Sequence, residues 1–500
     1  MPFPRSSGIL LHPTSLPSRF GIGDLGSRAY EFVNFLAETG QQLWQILPLG
    51  PTGFGNSPYL CYSAMAGNPL LISLERLRDD GLLEDKDLDS LPDFPEDSVD
   101  YERVDKTKMP VLRRSCENFK NNATPEQQQE FQQFCDRASY WIDDYALFIS
   151  LKEIHDLASW HQWPDELSKR QPEAMERCRR QLNGEIFFRK YLQFEFYRQW
   201  SALKRYANDR QIKIMGDIPF YVAHDSADVW AHPSNFCLDA ETGEPSVMAG
   251  VPPDYFSETG QLWGNPVYKW ERLQQEEFEW WVQRFHTMLD YVDIIRIDHF
   301  RGFRAYWAVP GGDTTAMGGD WVEAPGEEFF ELLDRKLGKL PIVAEDLGVI
   351  TPDVDALRER FEFPGMKILH FAFDSGRENP YLPYNYHSPN FVVYTGTHDN
   401  NTTVGWYNRR SDEERERVWR YLGCTTGSGI EWDLIRLALS SVANQAMFPL
   451  QDILGLGEDA RMNRPSQAEG NWSWRYRAEA LTQERRDRLK ALTEIYGRNP

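Results

Sequence analysis

The sequence lacks the features that mark membrane, metal-binding or nucleotide-binding proteins. No run of apolar residues is long enough to span a bilayer, and no Gly-rich phosphate loop, internal repeat or low-complexity segment occurs. The six cysteines form no CxxC pair and show no Cys/His metal spacing, so we expect free thiols and no essential metal or cofactor. The N-terminal residues lack the apolar core of a signal peptide, which predicts a cytoplasmic protein.

Positive charge is also in short supply. The 54 Lys and Arg residues face 76 Asp and Glu residues, which gives a formal net charge of −22. This balance argues against nucleic acid and anionic membranes as partners. It fits a neutral polar substrate, and it fits plain solubility equally well. Aromatic residues, in contrast, make up 14% of the chain and can serve either as core or as stacking surfaces for a ligand.

Short apolar runs alternate with helical patterns along the chain. The run 8–12, the helical pattern 27–39 and the run 42–48 form a β-α-β unit, which begins a parallel sheet. Six further runs lie at 212–219, 293–298, 342–346, 366–374, 392–398 and 446–452. Eight strands separated by helices predict an α/β fold, a (β/α)8 TIM barrel, and 500 residues suit a barrel with large insertions. The chain after the eighth run is too short for a separate C-terminal β-sandwich domain.

Two long stretches interrupt the barrel pattern. Residues 50–208, after the second strand, contain helical segments and a capping box at Thr124-Pro125-Glu126-Gln127. We expect a mostly helical insertion there, within one catalytic domain that spans 1–500. Residues 220–291, after the third strand, include a Gly- and Pro-framed stretch at about 250–266 that carries Trp263. Its composition predicts an ordered but mobile lid, and a packing loop with buried aromatic residues is the alternative.

Three of the predicted strands lead into carboxylates. Asp298 ends the fourth, Glu345 ends the fifth and Asp399 follows the seventh. Because the C-terminal ends of parallel strands meet at one rim of a barrel, we expect these acids to cluster. Arg296 lies two residues before Asp298, on the same face of the strand, where its charge would keep the carboxylate ionised. An ionised carboxylate in a cleft suits a glycosidase-type nucleophile, but this motif alone equally fits a helix N-cap with a structural ion pair.

Eight motifs occur in order along essentially the whole chain. They are GILLHPTSLP at 8–17, SPY at 57–59, GDIP at 216–219, GVPPD at 250–254, RIDHFRG at 296–302, AEDLG at 344–348, GTHDN at 396–400 and GNW at 470–472. Each motif is weak alone, but the ordered set is specific. It resembles glycoside hydrolase family 77 of the α-amylase clan, the 4-α-glucanotransferases called amylomaltase or disproportionating enzyme. No expected catalytic position departs from the family pattern.

The resemblance implies a retaining enzyme that transfers segments of α-1,4-glucans, with maltooligosaccharides, amylose, starch or glycogen as donor and acceptor. In the pattern of this family, Asp298 matches the nucleophile, Glu345 matches the general acid/base, and Asp399 matches the residue that stabilises the transition state. The residues that it implies for substrate binding are Tyr59, Asp217, Asp254, Trp263, Arg296, Asp374 and His398. For Tyr59, loop packing is an equally good reading of the spacing. Glu345 must start protonated, and we expect like-charge neighbours and partial burial to raise its pKa.

Two other functions remain open from the residues alone. A hydrolase on the same site differs only in whether water or sugar attacks the intermediate, and residue patterns do not separate the two. The resemblance favours transfer. A non-catalytic glucan-binding protein is the third hypothesis, and the presence of all three acids counts against it.

Overall fold

The structure is a computed structural model that describes residues 3–253, 257–423, 429–465, 467 and 469–500. Within these residues the strands are β1 Ser6–Leu10, β2 Leu43–Gln45, β3 Lys213–Pro219, β4 Val247–Val251, β5 Gln261–Pro266, β6 Ile294–Asp298, β7 Ala305–Pro310, β8 Asp320–Glu323, β9 Ile342–Ala344, β10 Gly365–Ile368, β11 Phe391–Tyr394 and β12 Gln445–Pro449. The α-helices are α1 Ser27–Glu38, α2 Leu74–Asp79, α3 Asp85–Asp89, α4 Tyr101–Asn122, α5 Pro125–Arg137, α6 Ile142–Ile154, α7 Asp165–Ser168, α8 Pro172–Gln181, α9 Asn183–Asn208, α10 Ala227–Ala231, α11 Trp270–Gln275, α12 Glu279–Tyr291, α13 Gly326–Leu337, α14 Pro352–Arg360, α15 Thr403–Asn408, α16 Asp412–Leu422, α17 Ile430–Ser440, α18 Leu450–Ile453 and α19 Gln483–Ile495.

Eight of the strands form a parallel barrel. Their order is β10-β11-β12-β1-β2-β3-β6-β9, and every neighbouring pair in it is parallel. The ring closes between β9 and β10, where the amide of Ala344 donates to the carbonyl of Pro364 at 2.9 Å. The predicted (β/α)8 fold is therefore confirmed. It gives all eight strands the same direction, so their C-terminal ends lie at one rim.

Several barrel strands end earlier than the sequence predicted. The run 366–374 gives β10 and then a 3-10 helix over Leu369–Phe373, and the run 446–452 gives β12 and then α18. Residues 345–346 and 395–398 likewise lie beyond β9 and β11. The apolar side chains of these segments, such as Leu369 and Leu450, stay fully buried although the strand has ended. Continuous burial, rather than strand geometry, produced the long apolar runs.

Helices fill the sequence between β2 and β3. The longest, α9, buries Trp200, whose indole nitrogen donates to the carbonyl of Tyr291 at 2.8 Å. The helix therefore packs against α12 at the outside of the barrel. The predicted capping box at the start of α5 is present, with the Thr124 hydroxyl accepting from the amide of Gln127 and the Gln127 side chain accepting from the amide of Thr124.

A second sheet, which the sequence did not predict, lies beside the barrel rim. It is antiparallel in the order β5-β4-β7-β8. Trp263 belongs to β5, so part of the predicted lid loop is a strand, because its backbone pairs with β4. Asp254 and the rest of 254–256 lie outside the described residues.

None of the helices in the described part of the chain has the length and apolar character needed to cross a membrane. The five cysteines within it, Cys61, Cys116, Cys135, Cys178 and Cys237, are free thiols.

Candidate active site

The first two predicted acids come from adjacent strands of the barrel. Asp298 is the last residue of β6, and Glu345 directly follows β9, which pairs with β6. The amide of Glu345 donates to the carbonyl of Ile297 at 3.0 Å. In return, the amide of His299 donates to Glu345 Oε2 at 2.7 Å. These two hydrogen bonds on either side of Asp298 bring the two carboxyl-bearing segments together at the rim.

Arg296 lies beneath this pair. Its Nη1 is 3.0 Å from Asp298 Oδ1 and donates to Asp217 Oδ2 at 2.6 Å. Strand alternation puts Arg296 and Asp298 on one face of β6, as predicted. Arg296 and Asp217 are 4% and 0% exposed in their side chains, whereas Asp298 retains 32%. The ion pair of Arg296 and Asp217 thus forms the floor of the site, and Asp298 is open to a ligand.

Burial controls the protonation of Asp298. Desolvation raises the pKa of Asp298 to about 8. The charge of Arg296 opposes this rise in pKa, while the neighbouring carboxylates of Glu345 and Asp399 add to it. The guanidinium of Arg296 favours the ionised form of Asp298, whereas desolvation and like charges oppose it, so the ionised state of Asp298 stays a prediction.

The pKa of Glu345 is also raised, as predicted. Desolvation is the main cause, and the charge of Asp346 contributes. Arg296 and the backbone amides of His299 and Leu347 oppose the rise, the latter donating to Glu345 Oε1 at 2.9 Å. The pKa of each acid is therefore raised, and the two acids interact, since the charge of Glu345 contributes to the rise for Asp298. Such a pair can hold one proton near neutral pH, which leaves one acid and one carboxylate.

The third acid reaches the cluster from the loop after β11. The Asp399 side chain is 48% exposed, and its Oδ1 accepts from Asn463 Nδ2 at 2.7 Å. The preceding residue, His398, is buried, and its Nε2 lies 3.4 Å from Asp399 Oδ1. Desolvation lowers the pKa of His398, so its imidazole is neutral. The exposed carboxylate of Asp399 therefore lies against the buried, neutral imidazole of His398.

Tyr59 connects the floor of the site with this loop. Its hydroxyl donates to Asp217 Oδ2 at 2.8 Å, and its ring stacks on His398 with the centroids 5.2 Å apart. Trp472 lies 5.9 Å from the Tyr59 ring and completes this aromatic wall. The spacing of Tyr59 left sugar stacking and loop packing open, and the structure shows the packing contacts.

Trp263 lies on the other side of Asp298. Its ring meets the His299 ring edge to face, with a centroid distance of 4.9 Å, and 37% of the residue is exposed. His299 adopts a left-handed conformation, with φ 55°, which turns the chain sharply after Asp298. Trp263 thus forms a partly exposed aromatic surface against the residue that follows the predicted nucleophile.

One predicted substrate-binding residue, Asp374, does not join this cluster among the described contacts. Asp374 follows the 3-10 helix after β10, and its half-exposed carboxylate pairs with Arg410. It was predicted to lie at a strand end, but the strand stops at Ile368. Asp254 lies outside the described residues.

Sequence reasoning assigned no role to three residues that support the site. Trp472 packs on Tyr59, Asn463 donates to Asp399, and Arg461 donates to the carbonyl of Asp399 at 2.9 Å. The GNW motif was a signal for Trp472. Asn463 and Arg461 follow β12 in an irregular segment whose sequence carries no periodic pattern, so local reasoning had no means to find them.

A parallel barrel with an interacting acid pair at its C-terminal rim defines a class, the barrel enzymes that act on glycosidic bonds. The model of the glycoside hydrolase 77 family, described as 4-alpha-glucanotransferase, matches residues 11–482. The chain belongs to this family, which confirms the resemblance drawn from its motifs.

Curated relatives and a solved structure agree with this membership. A 4-alpha-glucanotransferase of Synechocystis sp. is 59% identical over 495 residues, which cover 99% of this chain and 98% of the relative. That of Thermus thermophilus is 49% identical over 500 residues, with 99% of each chain covered. The amylomaltase from Streptococcus agalactiae, solved in complex with acarbose, matches with a TM-score of 0.96 at 39% identity, over 99% of this chain and 100% of that one.

Proposed function

We propose that this protein is a 4-α-glucanotransferase that moves segments of α-1,4-glucans from a donor to the 4-hydroxyl of another glucan or of glucose, by retaining double displacement. The observation that carries the proposal is the interacting pair of Asp298 and Glu345, joined by the His299 amide and underlain by Arg296. The names of the relatives support transfer as the outcome. Two nearby carboxyl groups of different protonation are what retaining chemistry requires.

In the first step, a carboxylate oxygen of Asp298 attacks the anomeric carbon of the donor. The bond from that carbon to the glucosidic oxygen breaks, its electron pair goes to the oxygen, and Glu345 gives its proton to that oxygen. The product is a glucosyl ester on Asp298 and a released glucan with a free 4-hydroxyl. Arg296, at 3.0 Å from Asp298, holds the attacking carboxylate in place.

In the second step, the ionised Glu345 takes the proton of an acceptor 4-hydroxyl. The acceptor oxygen attacks the anomeric carbon, the ester bond breaks, and Asp298 is restored as a carboxylate. Two inversions at one carbon leave the α configuration unchanged. Asp399 is placed to accept hydrogen bonds from sugar hydroxyls during both steps, since its carboxylate is exposed and held by Asn463.

The transfer assignment is tested by incubating the purified protein with maltotriose and separating the products. We expect a ladder of longer maltooligosaccharides together with free glucose. Glucose and maltose alone would identify a hydrolase, and an unchanged substrate would identify a glucan-binding protein. Asp298→Asn is the control, because an amide cannot form the ester, and its products must match those of the blank.

Three further predictions accompany this function and await their own tests. We propose that residues 1–500 form one catalytic unit in which 50–208 and 220–291 are insertions into the barrel. We also propose that the enzyme works in the cytoplasm, which its free thiols support. No step of this mechanism needs a metal or cofactor, so we expect activity to be independent of chelators.

A further inference from the structure

One buried carboxylate closes the loop that carries Asp399. The loop runs from Thr395, just after β11, to Thr403, the first residue of α15. Asp452, on α18, is 1% exposed. Its Oδ2 accepts from the hydroxyls of Thr395 at 2.6 Å and Thr403 at 2.7 Å, and its Oδ1 accepts from the amide of Thr403 at 2.8 Å. Both ends of the loop are therefore held by the same side chain.

His370 extends this set of hydrogen bonds by one more donor. Burial lowers its pKa to about 3, so the imidazole is neutral, and its Nε2 lies 3.0 Å from Thr403 Oγ1. Because the Thr403 hydroxyl gives its one proton to Asp452, the Nε2 of His370 is the donor to Thr403. The ring is fixed by stacking on Trp406, with centroids 4.8 Å apart. The chain of donors from His370 through Thr403 thus ends on Asp452.

The loop also passes very close to His370. A Cβ added at Gly396 would come within 2.6 Å of His370 Cε1, so only glycine lets the backbone approach the ring this closely. The backbone amide of His370 donates to the carbonyl of Thr395 at 3.2 Å. The first residues of the loop are therefore held by backbone contact as well as by Asp452.

The free-energy cost of desolvating the Asp452 carboxylate argues for a role beyond simple packing. Desolvation raises its pKa, and the effects that oppose this rise are hydrogen bonds from Thr395 and Thr403. A buried carboxylate held by neutral donors is an expensive way to join two loop ends, because it must be desolvated. A catalytic group on a loop, however, must be held to within about 0.5 Å of its working position, which an unbraced loop does not achieve.

We propose that Asp452 is a positioning residue, which staples the loop 395–403 through Thr395 and Thr403 and so holds Asp399 against the sugar at the cleavage site. The inference rests on the role of Asp399 given under the proposed function. Asp399 is needed most in the transition state, so loosening the staple should lower kcat for maltotriose much more than it changes KM.

The test compares variants that change Asp452 or one of its hydrogen-bond donors. Asp452→Asn should lower kcat by about 10²-fold, the scale of a misplaced catalytic group. Thr395→Val removes one hydroxyl and should lower kcat less, whereas Thr395→Ser keeps the hydroxyl and should retain wild-type kcat. Thr39→Val is the matched control, since Thr39 is also buried and donates to a helix carbonyl at 2.8 Å, but it precedes β2 at the opposite end of the barrel. It should lower the Tm without changing kcat.

A double variant shows whether the effect passes through Asp399. In an Asp399→Asn background, measured as fluoride release from α-glucosyl fluoride, Thr395→Val should cause no further loss. The staple is disproved if Thr395→Val and Asp452→Asn lower the Tm but leave kcat unchanged, as Thr39→Val does, or if their losses multiply with that of Asp399→Asn. If Asp452→Asn does not fold, the result for Thr395→Val decides whether the staple acts on kcat, because this variant keeps the Asp452 carboxylate. Wild-type turnover by Asp399→Asn alone would instead overturn the proposed role of Asp399.

Discussion

Several carboxylates in the cleft share one guanidinium. Arg296 contacts Asp217 and Asp298, and Glu345 and Asp399 act on Asp298 from close by. Full ionisation of these acids would leave an excess of negative charge in a desolvated site, so a proton is retained near neutral pH. Desolvation and crowding of like charges therefore favour a protonated acid in the site, and Glu345 is the group that gives this proton in the first step of the proposed mechanism.

The same crowding makes Asp298 a liability for stability. Asp298→Asn should abolish transfer and should also raise the Tm, because a neutral amide avoids the cost of ionising a carboxyl group in a desolvated site. The pKa of Asp298 in the folded protein is about 8, above that of an unfolded chain, so its contribution to stability is present at lower pH and is lost as the pH rises through that value. The Tm difference between variant and wild type should therefore grow from the ordinary range of carboxyl groups up to about pH 8 and stay constant above it. Scanning calorimetry over this range measures it.

The surface variant Asp313→Asn serves as the control for the removal of one charge, since Asp313 is exposed. Parallel pH curves for wild type and Asp298→Asn would contradict the raised pKa. Retained transfer by Asp298→Asn would remove this residue from the role of nucleophile.

Substrates with different leaving groups can distinguish the roles of Asp298 and Glu345. Glu345→Gln cannot protonate a glucosidic oxygen, so it should be nearly inactive on maltotriose. It should cleave α-glucosyl fluoride, whose leaving group departs without a proton, and the glucosyl ester should accumulate because no base activates the acceptor. Mass spectrometry of the peptide that carries Asp298 measures the adduct. The double variant with Asp298→Asn must show none, and an absent adduct in Glu345→Gln alone would reverse the assignment.

At the scale of elements, the strand that carries Arg296 and Asp298 was predictable, and the ends of the other strands were not. Arg296 and Asp298 lie two residues apart in β6, so the period of a strand predicted that they share one face. The run 366–374 is apolar almost throughout, and such a run fits a buried strand and a buried 3-10 helix equally well. Asp374 was misplaced for this reason.

The parts of the site that the sequence did not reveal come from segments held in place by distant contacts. Asn463 and Arg461 reach Asp399 from a segment after β12. The antiparallel sheet was missed because β8 is short and exposed along its whole length, so it carries no alternation of buried and exposed residues. Family motifs pointed to the three acids and contained Trp472 without assigning it a role, whereas tertiary contacts decided the rest.

The position of Trp263 on β5 leads to a prediction about water. A sugar acceptor that stacks on Trp263 displaces water from the intermediate, so Trp263→Ala should weaken acceptor binding by about 1–2 kcal/mol. The ratio of hydrolysis to transfer should then rise, while the first cleavage step changes less. The measurement compares glucosidic bonds lost with glucose released from maltotriose.

Trp321 provides the matched control for this variant. It lies on β8 of the same small sheet and is 41% exposed, compared with 37% for Trp263. Trp321→Ala should leave the ratio of hydrolysis to transfer unchanged. If both variants lose cleavage and transfer in proportion, Trp263 acts through the stability of the sheet and the acceptor role is wrong.

At the scale of the whole molecule, the catalytic acids and the contacts that tie the C-terminus to the barrel lie at opposite ends of the strands. The acids lie at the C-terminal ends of the strands, while Arg498 ties the last helix to the opposite end. Arg498 is fully buried, and it donates to the carbonyls of Ser6 at 2.9 Å, Leu439 at 2.9 Å and Ala443 at 2.9 Å. Desolvation lowers its pKa to about 9, and the nearby charge of Arg5 adds to this effect. Backbone carbonyls therefore hold this cation between the first and last strands.

Arg498→Ala should destabilise the fold by about 3 kcal/mol, because several buried carbonyls lose their donors at once. Turnover measured well below the unfolding transition should remain that of wild type, since the active site lies at the other end of the barrel. Arg498→Lys keeps the charge but offers fewer donors in fixed directions, so its loss should be intermediate. Arg420→Ala is the control, because Arg420 is 78% exposed and forms only a surface pair with Glu416, which predicts a change below about 0.5 kcal/mol. Urea unfolding of the variants measures these differences, and equal losses for Arg498→Ala and Arg420→Ala would show that the barrel closes without this tie.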